Sequence, residues 1–439
     1  MDLVDTLIDA RWIIPVEPAG IVLEAHSIAI KDGLITDLLP TAQAHARFTP
    51  GTHVVLDQHV LIPGLVNLHT HAAMTLMRGM ADDLPLMTWL KDHIWPAEAR
   101  HVSAEFVRDG TLLACAEMLK GGITCMNDMY FFPEAAARAA LAAGMRASLG
   151  MITIDLATAY ASDPDDYLAK GLALRDAMRH EPLLSFCLAP HAPYTVSDAT
   201  FEKIGRYAEE LGLPVHMHVH ETDDEIAGEL AKTGLRPLAR LKKLGLIGPQ
   251  LIAVHAVHLN AEEIDLLARH GASVAHCPTS NLKLGSGIAP ITGLLRAGVN
   301  VGIGTDGAAS NNRLDMFAEM RLAALLAKGA SGQADAMPAH VALRAATLGG
   351  ARALGLDAKI GSLVPGKAAD LAAVELNRPE LLPLYDPASH LVYVAGRENV
   401  TDVWVAGNRV VNTLQLARLD MLRLESSARL WQNRLRNQG

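Results

Sequence analysis

Between residues 60 and 306, unbroken apolar runs of strand length alternate with stretches whose apolar positions recur at helical spacing. Eight such runs occur: VLIPGLVNL, GITCMNDM, MRASLGM, LLSFCLAP, LPVHMHV, LIAVHAV, SVAHCP and VNVGIGTD. Segments between them, such as SDATFEKIGRYAEELG and AEEIDLLARHG, read as amphipathic helices. A strand that is apolar throughout is buried on both faces, as in a parallel sheet with helices outside it. Eight strand–helix repeats predict an α/β protein built on a closed, TIM-like (β/α)8 barrel. The chain ends have another texture. LIDARWII, SIAIKDGLITDLL and THVVLD alternate like half-exposed strands, with Asp32-Gly33 as a hairpin turn. The same pattern returns in AADLAAVEL and DVWVAGNRVV, with a turn at Gly407-Asn408. Residues 1–58 plus 365–415 are therefore expected to form one small β-sandwich domain, 59–364 the barrel, and 416–439 an amphipathic C-terminal helix.

A length of 439 residues suits a barrel plus a smaller domain. Only 4% of residues are aromatic, so the core falls to Ala, Leu, Val, Ile and the 16 Met. A net charge of −10 without a dense Lys/Arg run speaks against nucleic acid as a partner. The first residues, MDLVDTLIDARWIIP, are acidic where a secretory signal is basic, and no apolar run is long enough to span a membrane. Cys115, Cys125, Cys187 and Cys277 are scattered with no C-x-x-C, which suggests reduced thiols and a cytoplasmic protein.

Candidate metal chemistry gathers at the C-terminal ends of the barrel strands, where this fold places its active sites. His69 and His71 end the first strand in NLHTH, and positions i and i+2 of a strand face one side. The fifth run ends in His216-Met217-His218-Val219-His220-Glu221, the sixth carries His255 and His258, and the eighth ends at Asp306. Three histidines and a carboxylate, with one position left for water, suit a catalytic zinc. One H-x-H pair is weak; the joint placement on four strand ends is not.

PGLVNLHTHAAMTLMRG, HMHVHET, SNLKLGSGIAPI and GTDGAASNN resemble the amidohydrolase superfamily, in the branch of the 5-methylthioadenosine/S-adenosylhomocysteine deaminases and the triazine hydrolases. The resemblance spans nearly the whole chain. It implies one metal ion, usually zinc and sometimes iron, held by His69, His71, His218 and Asp306. Some members carry two metals bridged by a lysine of the fourth strand; LLSFCLAPH has no lysine, which favours a single ion.

Hydrolytic deamination needs a nucleophilic hydroxide, which a divalent cation supplies by lowering the pKa of bound water to about 7. Asp306 is the candidate base, Glu221 the candidate proton shuttle to the ring nitrogen and the leaving ammonia, and His255 the group that polarises the attacking water. The resemblance gives the matching positions these roles. The residues alone leave a plainer alternative for each: an acid beside a helix N-terminus for Glu221, a packed core histidine for His255. His216, His220, His258 and His276 are expected to support or pack.

By the same resemblance, Glu98 in IWPAEAR grips ribose hydroxyls and His191 in LAPHAPY makes a second substrate contact. Ser310 is a candidate contact to the purine, and Trp89 and Trp95 are candidates to wall the pocket. Met74, Met77 and Met80 are expected to be core more than a thioether slot. Family deaminases that accept S-adenosylhomocysteine carry arginines after the third strand. Here MRASLGMITIDLATAYASDPDD has Arg146 within the strand and then no cation until Lys170, while Asp155, Asp163, Asp165 and Asp166 would repel a carboxylate. The expected substrate is thus a purine nucleoside with a neutral 5′ substituent, 5′-methylthioadenosine first, then adenosine or S-adenosylhomocysteine. Guanine or 8-oxoguanine deamination and triazine hydrolysis are the alternatives; a non-catalytic metal-binding protein fits the residue set less well. The resemblance and the apolar C-terminal helix also suggest a homo-oligomer, a dimer or tetramer.

Overall fold

The computed structural model describes residues 1–436. Four strands open the chain: β1 (Asp2–Ile13), β2 (Leu23–Lys31), β3 (Leu34–Pro40) and β4 (Phe48–Pro63). Eight follow: β5 (Leu65–Thr70), β6 (Ile123–Asp128), β7 (Arg146–Thr153), β8 (Leu184–Pro190), β9 (Val215–Val219), β10 (Leu251–His255), β11 (Ser273–His276) and β12 (Asn300–Ile303). Four more close it: β13 (Leu371–Glu375), β14 (Val400–Val405), β15 (Asn408–Asn412) and β16 (Gln415–Leu416).

Strands β5 to β12 form one sheet in sequence order, with β7 to β12 paired in parallel. Each apolar run of the sequence contributes to one of them. VLIPGLVNL is the exception in detail: it divides at Gly64, with VLIP ending β4 and LVNL beginning β5. The sheet closes beyond β12, where the Asp306 N–H donates to the His69 carbonyl at 2.9 Å. Gly304 permits that approach, because a Cβ there would lie 2.8 Å from the His69 nitrogen. The outer helices start and stop where the sequence signals them. Asp198–Leu211 begins after Ser197, which accepts the Thr200 N–H, and ends at Gly212 with φ of 63°. Ala261–His270 carries a capping box between Asn260 and Glu263 and ends at Gly271.

The chain ends build the second sheet, in the order β16-β15-β14-β13-β4-β1-β2-β3. It curls until its two hairpin tips meet: Gly407 N–H donates to Ala369 O, and Ala369 N–H to Gly33 O. Ile8, Ile28, Ile30, Leu61, Leu371 and Trp404 share the core so enclosed. Asp32 and Gly33 form the β2–β3 turn at φ of 52° and 77°, both positive as a two-residue hairpin requires. The β14–β15 turn is Ala406-Gly407, one residue earlier than Gly407-Asn408. On this sheet Asp9 accepts Ser27 Oγ at 2.6 Å on Oδ1 and meets the Nε2 atoms of His45 and His53 at 2.8 and 2.7 Å on Oδ2.

Compact units drawn from Cα proximity cut across these sheets: Met1–Asn67, Ala116–Cys125 and Asp315–Leu419 in one, Leu68–Cys115, Met126–Leu314 and Asp420–Gly439 in the other. The expected C-terminal helix runs Met421–Arg436; of the span 416–439, Leu416 belongs to β16 and residues 437–439 lie outside the described residues. The four cysteines are buried, and none is in a disulfide among the described residues. No described helix is long and apolar enough to cross a membrane.

Candidate metal centre and active site

The strand ends deliver His69, His71, His218 and Asp306 to one point. His69 Nε2 lies 3.2 Å from both His218 Nε2 and Asp306 Oδ1, and His71 Nε2 lies 3.3 Å from the same oxygen. A tetrahedral zinc with bonds of about 2.0–2.1 Å would hold its ligand atoms about 3.3 Å apart, so the spacing fits. The proton arrangement fits as well. His71 Nδ1 faces the Met129 carbonyl at 2.6 Å and His218 Nδ1 the His191 carbonyl at 2.8 Å. A carbonyl only accepts, so both Nδ1 atoms carry a proton, which leaves each Nε2 as the atom able to offer a lone pair toward the others. Lone pairs and a carboxylate converging in a buried site call for a cation. The Asp9 cluster is the counter-case. His45 and His53 are open to solvent, no described carbonyl claims their Nδ1 atoms, and each Nε2 is free to carry the proton that Asp9 accepts. It is satisfied by its own hydrogen bonds.

Burial dominates the electrostatics. It pushes His69 down to about 4 and His191 to about 3, and holds His216 and His218 well below the usual histidine value. Burial would raise Asp306, but the imidazoles of His69, His71 and His255 hold its carboxyl well below the usual range. Three donors fix its orientation in addition: Gly307 N–H on Oδ1 at 2.8 Å, and the Ser280 and Ser310 hydroxyls on Oδ2 at 2.6 and 2.7 Å, with Asp306 itself at φ of 59°.

Glu221 and His255 stand beside this point, Glu221 Oε2 lying 3.8 Å from His255 Nε2. Burial raises the Glu221 carboxyl, with His255 opposing the rise. His255 Nδ1 meets Asn281 Oδ1 at 2.8 Å, which turns Nε2 toward Glu221, and its ring stacks on His218 at 18°. His216 Nε2 meets His69 Nδ1 at 2.9 Å and supports that ring; among the described residues neither ring nitrogen of His276 has a hydrogen-bond partner.

A cavity of about 530 Å³ opens over these groups. His71, His218, Glu221, His255 and Asp306 form its floor; Trp89, Trp95, Glu98, Tyr130, His191 and Ser310 are among its walls. Glu98 accepts the Tyr130 hydroxyl at 2.7 Å, and burial raises its carboxyl to about 7 against that bond and His71. His191 Nδ1 meets the Thr195 hydroxyl at 3.0 Å, leaving Nε2 to the cavity. Ser310 borders the space, but its proton is directed to Asp306. Met74 lines the wall, Met77 is core, and Met80 is exposed.

The far wall corrects one expectation. Asp163 caps the helix Pro164–Met178, Asp165 and Asp166 pair with Lys203 and Lys170, and Asp155 accepts the Ser197 N–H. None of the four lines the cavity. Ile152, Ile154, Leu156, Ala157, Ala159 and Tyr160 do, and no Lys or Arg is among the described lining residues. Sequence reasoning also passed over Tyr130, Ser280, Asn281 and Glu225. Ser280 and Asn281 lie in, and Glu225 just beyond, the runs that carried the resemblance, while Tyr130 follows β6; only adjacency across strands reveals their partners.

Residues 60–410 match the Amidohydrolase family. A 5-methylthioadenosine/S-adenosylhomocysteine deaminase of Teredinibacter turnerae is 49% identical over 432 residues, covering 98% of each chain. An adenosine deaminase from Xanthomonas campestris with bound zinc superposes at a TM-score of 0.98, with 52% identity over 99% of both chains. An atrazine chlorohydrolase from Arthrobacter aurescens, complexed with zinc, follows at a TM-score of 0.91 and 25% identity, over 97% of this chain and 99% of that one.

Proposed function

The chain belongs to the amidohydrolase family, and from that premise we propose that it deaminates the adenine ring of 5′-methylthioadenosine, with adenosine accepted and S-adenosylhomocysteine disfavoured. The carrying observation is one cavity whose floor holds Asp306, Glu221 and His255 and whose walls hold Glu98 but no cation. The deaminase named for Teredinibacter turnerae supports the substrate class.

His69, His71, His218 and Asp306 would hold a single zinc or iron ion, which when bound supplies Lewis-acid activation of water near neutral pH. Asp306 takes the proton of the attacking water; its oxygens are already oriented by Gly307, Ser280 and Ser310. His255 offers its Nε2 lone pair to the same water. Glu221 gives its proton to the ring nitrogen and takes one back from the hydroxyl of the tetrahedral centre as the carbonyl forms, while the proton held by Asp306 leaves with the departing ammonia; the raised affinity of Glu221 for protons suits a group that must carry one at neutral pH. Glu98 accepts from the ribose diol, and His191 offers Nε2 as an acceptor beside it. Trp89 and the apolar far wall take the purine and the methylthio group, and Ser310 acts by orienting Asp306.

The absence of a lining cation opposes the homocysteine carboxylate, which would be desolvated without a partner. Exposed Leu422 and Leu430 on the C-terminal helix support a homodimer or homotetramer, and four buried cysteines outside any disulfide suit the cytoplasm.

The test is a steady-state panel on zinc-loaded protein: methylthioadenosine, adenosine, S-adenosylhomocysteine, guanine, 8-oxoguanine and a chlorotriazine. Methylthioadenosine should lead in kcat/KM, with S-adenosylhomocysteine lower by about 10²-fold or more. Turnover of a free base or the triazine with none of any adenosine substrate sinks the proposal.

A further inference from the structure

The chain leaves β9 through a sharp reversal. His220 stands at φ of 57°, a conformation that non-glycine residues rarely adopt, and Thr222 caps the helix Asp223–Thr233 two residues later. A turn of this kind leaves consecutive backbone N–H groups pointing inward with no strand to receive them. Here both are received by one side chain. Glu225 accepts the His220 N–H on Oε1 at 3.0 Å and the Glu221 N–H on Oε2 at 2.8 Å. Glu225 is itself held in place, since its own N–H donates to the Thr222 hydroxyl at 3.2 Å. The helix start thus reaches back past its own cap to grip the two residues before it.

The His220 ring secures the other side of the reversal. Its Nε2 accepts the Leu238 N–H at 3.1 Å, so Nδ1 carries the proton and donates to the His258 carbonyl at 3.2 Å. With ring and backbone both fixed, His220 has no freedom to swing, and the next residue, Glu221, is aimed at His255 on the cavity floor. Glu225 is 8% exposed and is not among the residues lining the main cavity.

We infer that Glu225 is a positioning residue for Glu221: its carboxylate locks the two backbone N–H groups that set the direction of the Glu221 side chain, and so sets the rate of proton delivery without touching substrate. The inference rests on the assignment of Glu221 as the proton shuttle. Misplacing a catalytic group by an ångström costs about 10²-fold in rate. Glu225→Gln keeps the shape but turns an NH2 toward a backbone N–H, so one of the two bonds is lost.

The experiment is a double-mutant cycle of Glu221→Gln and Glu225→Gln in the metal-loaded full chain, with kcat, KM, metal content and Tm read for each. Glu225→Gln should lower kcat by about 10²-fold with KM within about threefold of wild type and metal content unchanged. The double variant should be no slower than Glu221→Gln alone, because a misplaced shuttle that cannot shuttle costs nothing more. A merely structural role would multiply the two losses instead. Multiplied losses, an unchanged kcat in Glu225→Gln, or a loss explained by missing metal overturns the inference. If Glu225→Gln fails to fold, Glu225→Asp, one methylene short with both acceptor oxygens kept, takes its place under the same criteria. Glu221→Gln alone at wild-type rate removes the shuttle assignment itself, and that result is read without any Glu225 variant.

Discussion

Glu98 is a half-buried carboxylate and Asp306 a buried one, and their surroundings separate them. Asp306 is ringed by imidazoles and donors that hold it ionised, while Glu98 has one phenol and is pushed up to about 7. The first suits a cation; the second suits a pair of hydroxyls that displace little water. If Glu98 receives the ribose diol, Glu98→Ala should cut kcat/KM for nucleosides by about 10²-fold or more, the worth of two hydrogen bonds to a charged acceptor. Any residual activity on a free purine base should fall far less, and equal losses on nucleoside and base would take Glu98 out of the ribose site. The histidine pairs teach the same lesson. His71 and His218 differ from His45 and His53 in burial and in what their Nδ1 atoms face, and together these separate a candidate metal site from a hydrogen-bonded cluster around a carboxylate.

At the scale of elements, the strand ends carry both the chemistry and the strain. His220, His255 and Asp306 follow or end β9, β10 and β12 with φ of 57°, 69° and 59°. Each such residue costs about 1–3 kcal/mol, a cost offset by the packed barrel that holds it. The C-terminal helix shows a different economy. Trp431 is 3% exposed, packs edge-on against Phe106 and donates Nε1–H to Asp109 at 3.0 Å. Trp431→Ala should destabilise the protein by about 3–5 kcal/mol or release this helix, seen as a lower or split melting transition, with kcat for the intact fraction unchanged. Burial raises the Asp109 carboxyl, but donors from Trp431, Arg108 and Ser427 outweigh it and the net shift is downward. A depressed carboxyl stabilises the fold above its unfolded value of about 4 and loses that contribution as pH falls through the folded value. Helix release in Trp431→Ala should therefore depend less on acid than in wild type; an identical acid transition in both would take Asp109 out of the docking.

For the whole molecule, the candidate metal centre ties three separated strand ends, those of β5, β9 and β12, so its loss should be felt globally. Chelation should lower Tm by several degrees and zinc should restore it, while His45→Ala/His53→Ala should leave bound metal unchanged; an unaltered Tm would mean that the four ligands are stable without a cation. The eight barrel strands were legible in the sequence because burial on both faces makes each one continuously apolar, and the helices because Ser197, Asn260, Gly212 and Gly271 mark their ends. The candidate metal ligands were legible because histidines and an aspartate recur at the ends of several strands of one barrel, where an H-x-H pair by itself is a weak signal. Where one apolar run served two sheets, as VLIPGLVNL does across Gly64, the pattern showed no boundary, since both sides are buried. The acids after β7 misled because charge in a loop does not say whether it faces a cavity or caps a helix. Fold class and the residues able to hold an ion are thus properties of local periodicity and residue type, and the chain alone determined them. Which nitrogen bears a proton, which hydroxyl orients Asp306, which carboxylate grips the turn at His220 and which wall lacks a cation are relations between residues far apart along the chain. Only the closing of the barrel, which sets those neighbours at hydrogen-bonding distance, decided them.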